Sequence, residues 1–136
     1  MLKNVRLSKE LVIIVTNKIG VLADITEVLA VQGINLAAVA GYAAEAGKAQ
    51  IMLMSDDNLR AGDALRKAGY KSFKENEVIM FELENKPGAL KHVTTKLSAE
   101  GVDIKYIYGT TYLEGCPGKI VFSTSDNKKA LALLKE

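Results

Sequence analysis

The sequence predicts an α+β fold: two tandem ferredoxin-like β-α-β-β-α-β units, each an antiparallel sheet with its helices on one face. Three observations lead there. First, the chain repeats itself. Asn17-Lys18-Ile19-Gly20-Val21-Leu22 returns 68 residues later as Asn85-Lys86-Pro87-Gly88-Ala89-Leu90, and Gly33-Ile34-Asn35-Leu36 returns as Gly101-Val102-Asp103-Ile104. Thr26, Leu29 and Gly41 match Thr94, Leu97 and Gly109 at the same offset. Farther on the offset is 69, where Ile51, Asp57-Asn58, Ala61 and Leu65 match Ile120, Asp126-Asn127, Ala130 and Leu134. Second, the apolar period alternates between strand and helix spacing in the same order in both copies. Third, the matching glycines fall where turns are needed.

Each element has its own reason. Leu11-Val12-Ile13-Ile14-Val15 is β-branched and ends at Thr16-Asn17, so it reads as a strand, and residues 78–83 are its equivalent. Val21, Leu22, Ile25, Val28 and Leu29 then follow at spacings of three and four, as do Leu90, Val93 and Leu97. Gly33 and Gly101 stop these helices in the left-handed conformation. Strand two is predicted over residues 35–42 and 103–111, and strand three over 49–54 and 119–123. The one-residue slip between copies falls in Tyr112-Leu113-Glu114-Gly115-Cys116-Pro117-Gly118, a longer turn. Ser55-Asp56-Asp57 and Thr124-Ser125-Asp126 offer N-cap oxygens to a second helix. That helix carries Ala61, Ala64, Leu65 and Ala68 on one face and ends at Gly69, leaving residues 70–74 as a short fourth strand.

One domain is thus expected at residues 1–76 and a second at 77–136. The second stops at the end of its second helix, so its final strand is missing. Residues 2–7 precede the first repeat without a counterpart, and they are candidates for the vacant edge in the same chain or a partner chain. Strand two of the first copy, Leu36-Ala37-Ala38-Val39-Ala40, is apolar without a break. A sheet with one wet face should alternate. That predicts a sheet covered or extended by another unit, in a homodimer of four units.

Composition excludes several functions. Eighteen Lys and Arg against sixteen Asp and Glu leave +2, spread evenly over the two halves. No basic field invites nucleic acid or a membrane surface. One cysteine, Cys116, and one histidine, His92, give neither a disulfide framework nor a His-rich metal site. No apolar run approaches the roughly 18 residues of a membrane helix, and the N-terminus has no signal-peptide core, so a cytoplasmic location is expected. No phosphate-binding loop, zinc spacing or nucleophile triad is present, so no enzyme activity and no cofactor are expected.

The repeated loop has chemistry suited to a small zwitterion. Pro87 fixes φ at a first helical position, where a missing N–H costs little. Gly20 and Gly88 lack a Cβ and admit a ligand or another backbone closely. The helix that follows presents N–H groups and partial positive charge to a carboxylate. Asn17 and Asn85 offer both a donor and an acceptor. The same residues would also make tight strand-to-helix turns with no ligand.

A β-α-β-β-α-β unit with Asn-Lys-Pro-Gly-Ala-Leu after strand one and Gly-Val-Asp-Ile after helix one resembles an ACT domain. The chain is similar to a stand-alone protein of two tandem ACT domains, over about residues 9–75 and 77–136. The resemblance implies a regulatory module that binds a free amino acid or similar metabolite. It also implies a site where the turn after strand one meets strand two of a neighbouring domain. The implied ligand residues are Asn17, Ile19, Gly20, Val21, Leu22, Asn35 and Leu36 in the first copy. In the second they are Asn85, Pro87, Gly88, Ala89, Leu90, Asp103 and Ile104. Ile19 stands where the family favours proline, which predicts a less rigid first turn. Asp103 replaces the Asn that some members use, and a charge-assisted bond to an α-ammonium would suit it. A detached regulatory subunit contacting a catalytic partner enzyme, and a purely structural dimerisation module, remain alternatives. His92 reads as a solvated helix residue and Cys116 as an unactivated thiol. Tyr106, Tyr108 and Tyr112 face a sheet that is not basic, so an interface suits them better than stacked bases.

Overall fold

The computed structural model describes residues 2–136. Its elements are β1 (Leu2–Thr16), α1 (Val21–Val31), β2 (Leu36–Ala43), β3 (Lys48–Ser55), α2 (Asn58–Lys67), β4 (Phe73–Leu83), α3 (Ala89–Ala99), β5 (Ile104–Thr110), β6 (Gly118–Thr124) and α4 (Asn127–Lys135). The chain divides into two compact units. One is Lys9–Asn76; the other is Glu77–Glu136 together with residues 2–8. Met1, with which the first expected domain begins, lies outside the described residues. The first-repeat unit has the strand order β2-β3-β1-β4, and the second-repeat unit has β1-β4-β6-β5. Both are the four-stranded ferredoxin-like arrangement that the sequence predicts.

Two expectations are corrected here. Residues 70–74 do not form a separate strand, because the fourth strand of the first unit runs on into the first strand of the second as β4. Residues 2–7 do have a counterpart. Leu2 and Val5 pack against the second core as Tyr70 and Phe73 pack against the first. Residues 2–8 and 70–76 share one burial pattern, with half-buried positions at the first, fourth and seventh residues. The final strand that the second repeat lacks in sequence order is therefore supplied by the start of the same chain. Asn4 Nδ2 donates to the Glu82 carboxylate, and Arg6 lies 3.8 Å from Met80 Sδ.

Each core forms where a sheet face meets two helices. Leu11, Ile13, Ile51 and Leu53 pack against Ile25, Leu29, Ala61 and Leu65 in the first unit. Ile79, Phe81 and Phe122 pack against Val93, Leu97, Ala130 and Leu134 in the second. Helix ends follow the predicted chemistry. Gly33 has φ +68, its N–H donates to Ala30 O at 2.9 Å, and that of Ile34 donates to Leu29 O at 3.1 Å. This double closure buries Ile34 against Leu29, and Val102 repeats it on Leu97. Asp57 and Asp126 cap α2 and α4, accepting from the N–H groups of Arg60 and Lys129.

The face away from the helices is also buried at its centre, at Val12, Met52 and Met54 in the first unit and Val78 and Val121 in the second. These residues are buried in the single chain. In β2 itself Val39 and Tyr42 stay exposed.

Candidate functional site: the strand-to-helix loops

The two loops start their helices in the same way, with the Asp24 and His92 N–H groups donating to Gly20 O and Gly88 O. Thr16 pairs with Lys48 at the end of β1, and the next N–H, of Asn17, donates to Gly47 O at 2.8 Å in the β2–β3 hairpin. In the second unit Leu83 pairs with Gly118. Gly20 and Gly88 sit at the N-caps of α1 and α3 with φ +89 and +85, and nothing lies within 4 Å of where a Cβ would stand. A left-handed residue is needed at both, and the space above it is open. The two glycines match within a few degrees. The turn with Ile19 and the turn with Pro87 thus share one backbone conformation at the glycine.

Side chains divide by direction. Asn17, Ile19, Asn85 and Pro87 are exposed, and Leu22 and Leu90 are partly so. Val21 and Ala89 point into the two cores, so their side chains anchor the helices rather than face solvent. Leu36 and Ile104 likewise pack on the cores while half-buried.

Asn35 and Asp103 lie elsewhere in their units. Asn35 is held by a pair of bonds: its N–H donates to Asp56 Oδ1 at 3.2 Å and its C=O accepts from the Asp56 N–H at 3.0 Å. Asp103 is held in the same way by Ser125, at 2.9 and 2.8 Å. These bonds engage only the backbone of residues 35 and 103, leaving the side chains exposed. Ile104 pairs with Thr124, at the opposite end of β6 from Gly118. Six residues of strand separate the ends, about 20 Å. Neither unit brings its own loop and its own strand-two start together.

A cleft adjoins each loop. In the first unit Ile14, Thr16, Lys18, Val21, Lys48, Tyr70 and Lys71 line a cleft of about 380 Å³. In the second Lys3, Glu82, Glu84, Asn85, Gly115 and Pro117 line one of about 240 Å³. The repeat offset makes these equivalent places: Glu82 and Glu84 replace Ile14 and Thr16, and Pro117 replaces Lys48. Sequence reading missed all of these except Asn85 and Val21. The lysines come from three separate segments that only strand pairing unites, so no local motif marks them.

Tyr70 Oη donates to the Asp24 carboxylate across the first unit. That bond, with some burial and the nearby negative charge, pushes the phenol up to about 12. His92 is exposed on α3, and Cys116 is a free, half-buried thiol. Among the described residues no group of His, Cys, Asp and Glu is placed to hold a metal ion, and no helix is long and apolar enough to cross a membrane.

A family described as an ACT domain pair matches residues 7–136. No curated protein gives a significant match. Among solved structures, a Bacteroides thetaiotaomicron protein is 32% identical with a TM-score of 0.87, covering 98% of this chain and 90% of that one. The ligand-free regulatory subunit of aspartate kinase from Thermus thermophilus is 14% identical with a TM-score of 0.69, covering 96% and 94%. That of Thermus flavus is 14% identical with a TM-score of 0.65, covering 98% and 94%. The two Thermus likenesses show the fold alone.

Proposed function

This chain belongs to the ACT domain pair family, and we propose that it is a regulatory protein that binds a free amino acid through its strand-to-helix loops. It does so in the cytoplasm and without chemistry of its own. The observation that carries the reading is the pair of left-handed glycines, Gly20 and Gly88, each opening onto free space at the start of a helix. An asparagine stands three residues before each glycine. Such a loop can meet a carboxylate with backbone N–H groups and an ammonium with a side-chain oxygen. The test is a thermal melt against a panel of the twenty amino acids. At a hundred times Kd one site adds about 2.7 kcal/mol. For a chain of this size that raises the melting temperature by roughly 5–15 °C. Gly88→Asp and Gly20→Asp, each with a ligand-free control, should reduce the shift. A shift that survives both substitutions would place the site elsewhere.

A second reading makes the chain a detached regulatory subunit of a catalytic partner enzyme. It is favoured by similarity in fold and extent to the Thermus regulatory subunits. A stoichiometric enzyme co-purifying with the chain would support it. A homodimer is part of both readings. The terminal strand β2 has no charged residue to discourage pairing of its edge. Sedimentation as a monomer at micromolar concentration would remove the dimer.

A further inference from the structure

The clefts beside the two loops occupy equivalent places, yet the charged residues lining one are lysines alone and those lining the other are carboxylates and a lysine. The first carries Lys18 from the loop, Lys48 from the start of β3 and Lys71 from the chain entering β4, and no carboxylate lines it. None of the three makes an ion pair among the described residues; the ion-paired lysines are Lys9, Lys86 and Lys96. Its apolar lining comes from Ile14, Val15, Val21 and Tyr70. The phenol of Tyr70 is turned to Asp24 and donates to its carboxylate. In the second cleft Glu82 and Glu84 face one lysine, Lys3, and Lys86 is bound to Glu84 at 3.3 Å. Three like charges lining one cleft with no carboxylate beside them favour an anion there.

We propose that the first cleft is a selective site for a small organic anion with two negative groups, a dicarboxylate or an acidic amino acid, and that the second cleft does not accept such a ligand. This rests on the reading of the loops as ligand sites and names the ligand class of one of them. Two carboxylates can each meet a lysine from a different segment while the carbon chain lies against the exposed part of the cleft's apolar lining. A cleft of about 380 Å³ has room for a molecule of that size. In the second unit the same ligand would meet Glu82 and Glu84 at the positions of Ile14 and Thr16, where like charge repels it.

The test is an amide-resolved NMR titration of the full chain with succinate, L-glutamate, L-leucine and L-lysine, each alone. Succinate and glutamate should shift the amides of Lys18, Lys48 and Lys71 and leave those of Lys3, Asn85 and Gly115 unmoved at the same concentration. The double substitution Lys48→Glu with Lys71→Glu should weaken succinate by roughly tenfold or more. Lys48→Arg with Lys71→Arg should keep the binding, which guards against a folding defect in the first variant. Response to succinate without response to any amino acid supports this site and counts against the amino-acid reading of the loops. Equal response of the first cleft to leucine or lysine overturns the anion proposal and leaves the amino-acid reading standing. Equal response of both clefts to succinate also overturns it. Silence toward succinate and glutamate overturns the anion proposal and leaves the amino-acid reading to the melt against all twenty.

Discussion

The two units are built on one plan but closed by different means. The first is one unbroken stretch of chain, and its fourth-strand segment is tied to α1 by the Tyr70–Asp24 bond. The second borrows its fourth strand from residues 2–8, where Leu2 and Val5 stand in for Tyr70 and Phe73. His92 occupies the position of Asp24, so the polar tie has no counterpart. The second core has instead an edge-to-face pair, Phe81 and Phe122, with ring centroids 5.2 Å apart. Ile13 and Leu53 hold those places in the first unit. A repeat thus conserves the pattern of closure while exchanging a polar tie for aromatic packing, and the exchange can be tested by breaking each part.

The largest effect is expected in the second core. Phe122 is fully buried, and Phe122→Ala should cost about 3–5 kcal/mol by lost transfer energy and cavity formation. Leu53→Ala, at the equivalent place, removes fewer contacts and no ring pair, and should cost about 2–4 kcal/mol. Urea denaturation of both variants reads the difference. Equal losses would mean that the ring pair adds nothing beyond the volume it fills.

Next comes the borrowed strand. Deleting residues 2–7 removes half-buried Leu2 and Val5, and by area should cost about 2–3 kcal/mol. It also strips the flank of β4 in the second unit only. Hydrogen exchange should accelerate over residues 77–83 and stay unchanged over 48–55. Unchanged exchange in both would show that the segment does not support the second sheet.

A smaller effect should be the same in both units. Asn58 Oδ1 accepts from Ser55 Oγ at 2.6 Å, and its Nδ2 donates to Lys9 O at 3.1 Å. Asn127 repeats this with Thr124 Oγ1 at 2.8 Å and Glu77 O at 2.9 Å. Each amide joins the start of the unit's second helix to the start of its first strand. Replacing either with Ala should cost about 1–2 kcal/mol. Matching losses on equilibrium unfolding would support equivalent roles, and a difference above about 1 kcal/mol would argue against them.

Much of this was legible in the sequence, for identifiable reasons. Gly20, Gly33, Gly88 and Gly101 all adopt positive φ, and so their recurrence marked the turns correctly. Gly109 was matched with Gly41 by identity alone; a Cβ there would stand 2.6 Å from Lys119 O, so close strand approach requires it. The role of residues 2–7 was not legible. The segment precedes its own repeat, and of the seven pairs in residues 2–8 and 70–76 only Lys3 and Lys71 are identical. What the two segments share is burial spacing, which needs the partner sheet to be known. The two strand-to-helix loops were marked by their repeated Asn-Lys-x-Gly. The lysine cleft was not, because Lys18, Lys48 and Lys71 meet only through pairing of β1 with β3 and closure by the chain entering β4.

The subtlest effect concerns the polar tie. Tyr70→Phe keeps the ring on the first core and removes only the bond to Asp24, so at neutral pH it should cost about 1 kcal/mol. Its signature is at high pH. An ordinary tyrosine loses its proton near pH 10, as it does in the unfolded chain. In the folded chain Tyr70 keeps its proton up to about 12, because Asp24 accepts from the neutral phenol and repels the phenolate. Below about pH 10 both states are protonated and the contribution of the bond is complete. Between about pH 10 and 12 the unfolded state has released a proton that the folded state still holds, so rising pH favours unfolding. Above that window the contribution is gone. Urea midpoints measured across it should fall more steeply for the unmutated protein than for Tyr70→Phe, and the two curves should converge at the alkaline end. Leu2 occupies the equivalent place in the second unit and has nothing to titrate. Amide exchange in the second unit should therefore show no such added slope under conditions where each unit opens separately. Parallel curves for the two proteins would show that the bond does not hold the first unit closed.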